Sequence, residues 1–203
     1  TIEERRGFAK EAFAGSSGYD SAKFTYFDKD EKSAIRVAYN GAKTLRYGEN
    51  PHQKGFFYGN LDEMFTQVHG KEISYNNLLD IDAAVNLIND FTEPTFAILK
   101  HNNACGVASR DSIIDAWKDA LAGDPVSAFG GVLIANRTID APVAEEINKI
   151  FFEVIIAPEF TDDALAILEQ KKNRIILVQK STATTPSVIR TALNGVLVED
   201  RDT

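Results

Sequence analysis

The chain has little cysteine, no long apolar run and no excess of positive charge. One cysteine in 203 residues excludes an internal disulfide and zinc sites built on several thiolates, and is typical of a reducing compartment. No apolar run of about 18 residues and no signal peptide occur, so we expect a cytoplasmic protein without membrane helices. The formal net charge of -8 argues against a general binder of nucleic acid or anionic membranes, which require a basic face. A small anionic ligand remains compatible with that charge.

Common nucleotide loops are absent as well. Neither Gly-x-Gly-x-x-Gly nor Gly-x-x-x-x-Gly-Lys-Ser/Thr occurs in the sequence. An initiator methionine is also missing, and we expect the chain to be a piece of a longer protein. The hydrophobic content of 44% is nevertheless enough to bury a substantial core.

The first 33 residues are predicted to be a short helical segment. Thr1-Ile2-Glu3-Glu4 matches a capping box and begins a first helix. The sequence Gly15-Ser16-Ser17-Gly18 predicts a break, after which a second helix runs to Phe27. The polar stretch 28–33 predicts a boundary, so residues 1–33 are interpreted as a linker or the tail of a preceding domain.

Beyond that boundary, strands and helices alternate to the end of the chain. This alternation predicts a mixed or parallel sheet with helices on both faces. The predicted strands are 35–39, 55–58, 95–99, 131–134, 154–157 and 174–178, and the predicted helices are 80–91, 111–121, one beginning at 140–142, and 161–171.

The segment Lys100–Gly106 carries the strongest chemical signal. It follows Thr95–Leu99, an apolar run that predicts a buried strand opening into a turn-rich loop. Ligands of open α/β sheets bind beside the carboxyl ends of strands, which makes His101 a candidate general base with the Lys100 cation beside it. Neighbouring residues of a strand point to opposite faces, so the two serve one site only if the strand ends there. Alternatively, His101 only bonds a nearby carbonyl and Lys100 is a solvated surface charge.

Two other turn-rich segments are candidates for ligand binding. In 46–53, the Arg46 guanidinium suits a phosphate or carboxylate and the Tyr47 ring suits a planar base; ordinary surface residues are the alternative. The glycine-rich loop 124–131 enters a strand, where missing side chains allow a ligand to approach the backbone. The alternative there is a tight turn that requires positive φ.

Four segments, taken together and in order, resemble one family closely. They are Leu45–Gln53, Ser74–Asp80, Lys100–Gly106 and Asp124–Gly131. They are similar to the bifunctional purine-biosynthesis proteins that join AICAR transformylase to IMP cyclohydrolase. The resemblance implies that residues 1–33 end the cyclohydrolase domain and that 34–203 form the first of two transformylase subdomains. It also implies a three-layer α/β/α, cytidine-deaminase-like fold.

This resemblance also implies a reaction. The family transfers a formyl group from its co-substrate 10-formyltetrahydrofolate to the 5-amino group of AICAR, giving FAICAR on the route to IMP. It implies that His101 is the general base and that Lys100 stabilises the transition state. The residues that it places around AICAR are Arg46, Tyr47, Gly130 and Glu153, the last where the family often has an aspartate.

The chain departs from the family pattern in three respects. Ala104 replaces a proline, and neither the second, folate-holding subdomain nor most of the cyclohydrolase domain has a counterpart. The family's site forms across a homodimer. We therefore expect a homodimeric parent enzyme that binds AICAR and folate, and an isolated chain that is inactive. The alternative is a fragment that only binds a purine ribonucleotide or self-associates.

A deaminase-like fold raises one more alternative, zinc hydrolysis or a thiol nucleophile. The zinc signature requires His-x-Glu and Pro-Cys-x-x-Cys, which a single cysteine cannot supply. The sequence therefore predicts no metal site, and Cys105 is expected to pack as a small structural side chain.

Overall fold

A computed structural model describes residues 1–39, 41–182 and 185–202. Its helices are α1 (Ile2–Phe27), α2 (Leu61–Met64), α3 (Tyr75–Ile88), α4 (Ile113–Gly123), α5 (Ala141–Ile147) and α6 (Asp162–Leu168). Its strands are β1 (Ala42–Leu45), β2 (Gly55–Tyr58), β3 (Phe65–His69), β4 (Thr95–Lys100), β5 (Asn103–Ser109), β6 (Val132–Ala135), β7 (Val154–Ala157), β8 (Ile175–Gln179), β9 (Ser187–Ala192) and β10 (Gly195–Asp200).

A mixed six-stranded sheet in the order β3-β8-β7-β6-β4-β5 forms the centre of the fold. Strands β6, β7 and β8 are parallel, whereas β4 runs antiparallel to both of its neighbours, β5 and β6. The end of β4 therefore lies beside the beginnings of β6, β7 and β8. We call this side of the sheet the Lys100 edge.

Helices cover both faces of this sheet, which confirms the predicted three-layer α/β/α architecture. On β4, Phe96 and Ile98 belong to the cluster that packs against α4, α5 and α6, whereas Ala97 and Leu99 belong to the cluster beneath α3. The same alternation continues along β6, β7 and β8, because successive side chains of a strand point to opposite faces. Trp117 of α4 packs edge-on against Phe96 with ring centroids 5.0 Å apart.

The N-terminal segment is one helix, so the prediction of two helices is wrong. α1 begins at the predicted capping box, in which the Thr1 hydroxyl accepts a hydrogen bond from the Glu4 amide. At the predicted break, Ser16 and Ser17 donate their hydroxyls to carbonyls of the preceding helical turn. A glycine costs a helix about 1 kcal/mol relative to alanine but does not by itself end it. No residue of α1 is buried.

A strand predicted at 35–39 is also absent. The first strand is instead β1, which pairs with β2 in a separate antiparallel ribbon. Ile35, Val37 and Tyr39 line a groove against the β9–β10 hairpin. The alternation of apolar and polar residues in 35–39 therefore places apolar side chains on one side of an extended segment. Within the part of the chain that the structure describes, that segment does not pair with a strand through backbone hydrogen bonds.

Strand β5 occupies most of the segment that was predicted to be a loop. Only His101 and Asn102 separate it from β4, so the turn is much shorter than the sequence indicated. Among the described helices, none is both long and apolar enough to cross a membrane.

Gly106 is predicted to be intolerant of any side chain. A Cβ atom built there would lie 1.8 Å from the Ala120 carbonyl oxygen of α4. We expect Gly106→Ala to lower the free energy of unfolding by about 1–3 kcal/mol, the usual cost of overpacking, measured by urea titration. Gly15→Ala is the control, because no atom lies within 4 Å of its added Cβ; equal stability of the two variants would contradict the prediction.

Candidate active site

His101 occupies the first position of a two-residue hairpin turn. Its φ is 53° and that of Asn102 is 64°, as expected where a turn reverses an antiparallel pair. This left-handed conformation costs a non-glycine residue roughly 1–2 kcal/mol. β4 thus ends at Lys100, which is what a shared role for Lys100 and His101 requires, and the His101 side chain is exposed.

Contacts on both sides hold this turn in place. The Asn102 amide donates to Asp80 Oδ1 of α3 at 2.7 Å, and the Asn103 side chain donates to the His101 carbonyl oxygen at 2.8 Å. With its amide nitrogen facing α3, the Asn102 side chain also donates to the Leu79 carbonyl at 3.2 Å and to Asp80 at 3.1 Å. The left-handed turn is therefore fixed to the helix above it.

Lys100 reaches from the end of β4 to the glycine-rich loop. Its Nζ donates to the Phe129 carbonyl oxygen at 2.7 Å. An ammonium group carries three N–H donors, so this bond leaves donors for a ligand. Lys100 is only partly buried and can meet a ligand at the Lys100 edge.

Backbone constraints explain the two glycines of that loop. Gly130 has a φ of 77°, and its amide donates to the Phe151 carbonyl at 2.8 Å. A Cβ on Gly131 would lie 2.7 Å from the Leu99 carbonyl oxygen. The tight-turn alternative therefore accounts for positive φ at Gly130, and Gly131 permits a close approach of β6 to β4.

Glu153 immediately precedes β7 and is tied to its neighbours on the sheet. Its amide donates to the Gly131 carbonyl at 3.0 Å. Its carboxylate forms an ion pair with Lys71 Nζ at 2.5 Å, with side-chain exposures of 30% and 41% respectively. A pair this accessible contributes less than about 1 kcal/mol to stability, so a competing ligand can displace it.

A basic groove adjoins Glu153. Inside it, the Arg174 guanidinium lies 4.0 Å from the Phe152 ring centroid and donates to the Asn148 side chain at 2.9 Å. Burial lowers the pKa of Arg174 to about 10, so it stays charged at neutral pH. The other cations that line the groove are Lys71, Lys171 and Lys172. This acidic protein therefore carries a local concentration of positive charge at the Lys100 edge.

Arg46 and Tyr47 lie in the loop between β1 and β2. Arg46 is exposed and its guanidinium lies 5.7 Å from the Tyr47 ring centroid. The loop closes on itself through the Gly48 amide and the Gln53 carbonyl, 2.8 Å apart. The Asn76 side chain of α3 donates to the Glu49 carbonyl at 3.2 Å, which attaches the loop to the start of that helix.

The six candidate residues form two groups. Lys100, His101, Gly130 and Glu153 lie along the Lys100 edge, at or next to the ends of β4, β6 and β7. Arg46 and Tyr47 lie on the β1–β2 loop, which is attached to α3. Three polar residues escaped the sequence reasoning, namely Asn76, Asp80 and Lys71. The first two belong to one quoted segment and are four residues apart, on one face of a helix. That spacing was the available signal, whereas nothing in the sequence marks Lys71.

Cys105 lies in β5 at an irregularity of the strand pairing. Ile98 pairs with Gly106 but Leu99 pairs with Ala104, so Cys105 is the extra residue. Its Sγ donates to the Ile98 carbonyl at 3.4 Å, and burial raises the pKa of the thiol. Among the residues that the structure describes, no three His, Cys, Asp or Glu side chains are grouped so as to hold a metal ion.

Comparison with known proteins places these residues in a family context. The family model described as AICARFT/IMPCHase bienzyme matches residues 1–203. The chain is 69% identical over 202 residues to the bifunctional purine biosynthesis protein PurH of Bacteroides thetaiotaomicron, covering 100% of this chain and 40% of that protein. It is 45% identical over 214 residues to the protein of the same name from Rhodospirillum rubrum, covering 100% and 41%. The chain thus spans about two fifths of the length of these curated relatives.

Cys105 is predicted to react slowly as a nucleophile. Because burial raises the pKa of its thiol, less reactive thiolate is present at neutral pH than in the unfolded chain. Iodoacetamide should therefore modify the folded chain more slowly than the same chain in urea, and the rate-against-pH curve should lie at higher pH for the folded chain. Equal or faster modification of the folded chain would show that Cys105 is an activated thiol.

Proposed function

The chain belongs to the AICARFT/IMPCHase bienzyme family, and we propose that it contributes the general base and part of the nucleotide site to an AICAR formyltransferase. In this proposal, residues 34–203 are the first subdomain of the transformylase and residues 1–33 end a cyclohydrolase domain. The full-length protein acts in the cytoplasm, as a homodimer, on the route to IMP. The remaining part of the protein supplies the surface that holds 10-formyltetrahydrofolate.

One observation carries this proposal. His101 lies in a fixed turn directly after Lys100, whose ammonium group bonds the backbone next to Gly130. A base and a cation are thereby carried on consecutive residues at one exposed edge of the sheet. This is the pair that formyl transfer to a weakly nucleophilic amine requires.

The chemistry follows from the substrate. The lone pair of the 5-amino group of AICAR is delocalised through the imidazole ring, so loss of a proton must accompany its attack on the formyl carbon. His101 accepts that proton as the new C–N bond forms, a contribution of about 10²–10⁴-fold to the rate. Lys100 offsets the negative charge that develops on the formyl oxygen. The bond from the formyl carbon to N10 of the folate then breaks, and the leaving nitrogen takes up a proton, giving FAICAR and tetrahydrofolate.

The remaining candidates bind the nucleotide in this proposal. Arg46 matches the phosphate with its planar fork of donors, and Tyr47 offers an aromatic face. The backbone at Gly130 approaches the base of AICAR without a side chain in the way. Glu153 binds through acceptor sites that its ion pair with Lys71 leaves open, since a carboxylate has about four such sites.

His101→Ala tests the role of the base. In the full-length protein that contains this chain, we expect formyl transfer to slow by at least about a hundredfold, the low end for loss of a general base, measured by folate turnover. Cyclohydrolase activity in the same preparation should survive. His69→Gln removes another histidine of the central sheet and should leave formyl transfer within a few-fold of wild type. If the His101→Ala protein transferred formyl groups as fast as the His69→Gln protein, His101 would not be the general base.

The 203-residue chain by itself should not transfer formyl groups. Without a surface that holds the folate, the reaction loses the positioning that contributes roughly 7–11 kcal/mol to a two-substrate step. Calorimetry on the isolated chain should detect weak AICAR binding, and a folate-turnover assay should detect none of the reaction. Turnover near that of the full-length protein would show that the chain holds a complete site and would contradict the proposed division of the enzyme.

A further inference from the structure

We propose that Asp80 and Asn76 of α3 are positioning residues that set the distance between the general base and the nucleotide loop. This inference rests on the proposed function, because it assigns a purpose to the base at His101. Neither side chain is placed against substrate. Each acts through a backbone atom of a segment that carries a site residue.

Asp80 holds the turn that carries His101. Asp80 Oδ1 accepts from the Asn102 backbone amide at 2.7 Å. With its amide nitrogen turned towards α3, the Asn102 side chain donates to the same oxygen at 3.1 Å. Both residues of the turn have positive φ, a conformation that persists in side-chain-bearing residues only when surrounding contacts hold it. A charged acceptor makes this contact stronger than a neutral one. Asp80 is therefore a charged contact from outside the hairpin that holds the backbone of the turn carrying His101.

Asn76 holds the other segment. Its side-chain amide donates to the Glu49 carbonyl at 3.2 Å, three residues beyond Arg46 in the chain. Within the same loop, Gln53 Oε1 accepts from the Asn50 amide at 2.7 Å, so the loop has a defined shape of its own. The contact to Asn76 attaches that shape to α3.

The spacing of the two contacts sets the geometry. Residues four apart on a helix lie on one face with Cβ atoms about 5–6 Å apart. Asn76 and Asp80 therefore hold the loop and the turn one helical turn apart. Either segment can move relative to the other only if a contact to α3 breaks.

Helix α3 is a rigid support for this arrangement. The hydroxyl of Ser74 caps it by accepting from the Asn77 amide at 3.1 Å. Its inner face is buried against the sheet in the same cluster as Leu99, the residue before Lys100. Helix α3 packs on the strand that carries the base. The Asn76 and Asp80 contacts are therefore held in a fixed position relative to Lys100 and His101. The buried residues of that inner face are Asn77, Ile81, Ala84, Val85 and Ile88.

Loss of each contact is predicted to change a different kinetic constant of the full-length protein. Asp80→Ala should lower kcat for formyl transfer by about tenfold, as expected for loss of one charge-assisted hydrogen bond. The KM for AICAR should stay within about twofold of the wild-type value. Asp80→Asn keeps an acceptor oxygen and should recover most of that loss. Asn76→Ala should instead raise KM for AICAR by about fivefold and leave kcat nearly unchanged. A purely structural role would not produce this separation of kcat from KM.

Asp82→Ala is the matched control, because Asp82 is exposed on the same helix and should leave both constants unchanged. Alanine has a higher helix propensity than aspartate, so neither aspartate variant is expected to unfold α3. If Asp80→Ala keeps the kcat of Asp82→Ala while His101→Ala is inactive, Asp80 has no positioning role and the proposed function stands. If His101→Ala retains activity, the proposed function fails and this inference fails with it.

Amide exchange measured by NMR on this chain tests the contact itself. The Asn102 amide should be protected in wild type and in Asp82→Ala, and should exchange faster in Asp80→Ala, with little change in the amides of the buried strand β6. Unchanged protection of Asn102 in Asp80→Ala would overturn the assignment whatever the kinetics show.

Discussion

The register of β4 against β6 is the constraint on which the candidate site depends. Leu99 pairs with Val132, and alternate residues of β4 enter two separate buried clusters. A slip of one residue would exchange the two faces and force each apolar side chain into the wrong layer. The energetic cost of such a slip comes from the buried residues. The register that they enforce also fixes the positions of Lys100 and His101 at the end of the strand. A large apolar core thus holds two polar side chains at an accessible edge.

Close backbone contacts then arrange charge along the Lys100 edge. Gly131 lets β6 approach β4, and Gly70 lies against Arg174, whose carbonyl oxygen would be 2.0 Å from an added Cβ. Lys71, Glu153 and Lys100 consequently lie at the ends or beginnings of strands of one sheet, where neighbouring strands are about 4.8 Å apart. Along the sheet, the Glu153 carboxylate lies between Lys100 on one side and the cations Lys71 and Arg174 on the other. Such a surface can bind a ligand that carries both hydrogen-bond donors and acceptors.

Success of the sequence-based predictions follows burial. The strands β4, β6, β7 and β8 were predicted within a residue or two, because both of their faces are buried and their apolar runs are continuous. The strands β1, β3, β5, β9 and β10 were missed, since most of their residues are exposed or only partly buried. The exception is β2, which was predicted at its observed bounds although most of it is exposed or partly buried. The predicted break in α1 is wrong because the low helix propensity of a few glycine and serine residues is not enough to end a helix that continues on both sides.

The sequence by itself determined the candidate residues, the buried strands and the family resemblance, because these depend on local order and on apolar patterns. Only the tertiary structure decided that β4 runs antiparallel to β6, and therefore at which edge Lys100 and His101 meet Glu153. It alone decided the contacts from Asp80 to Asn102 and from Lys71 to Glu153. The partners of each pair are far apart in the chain, and strand order, strand direction and register bring them together, none of which a single segment encodes.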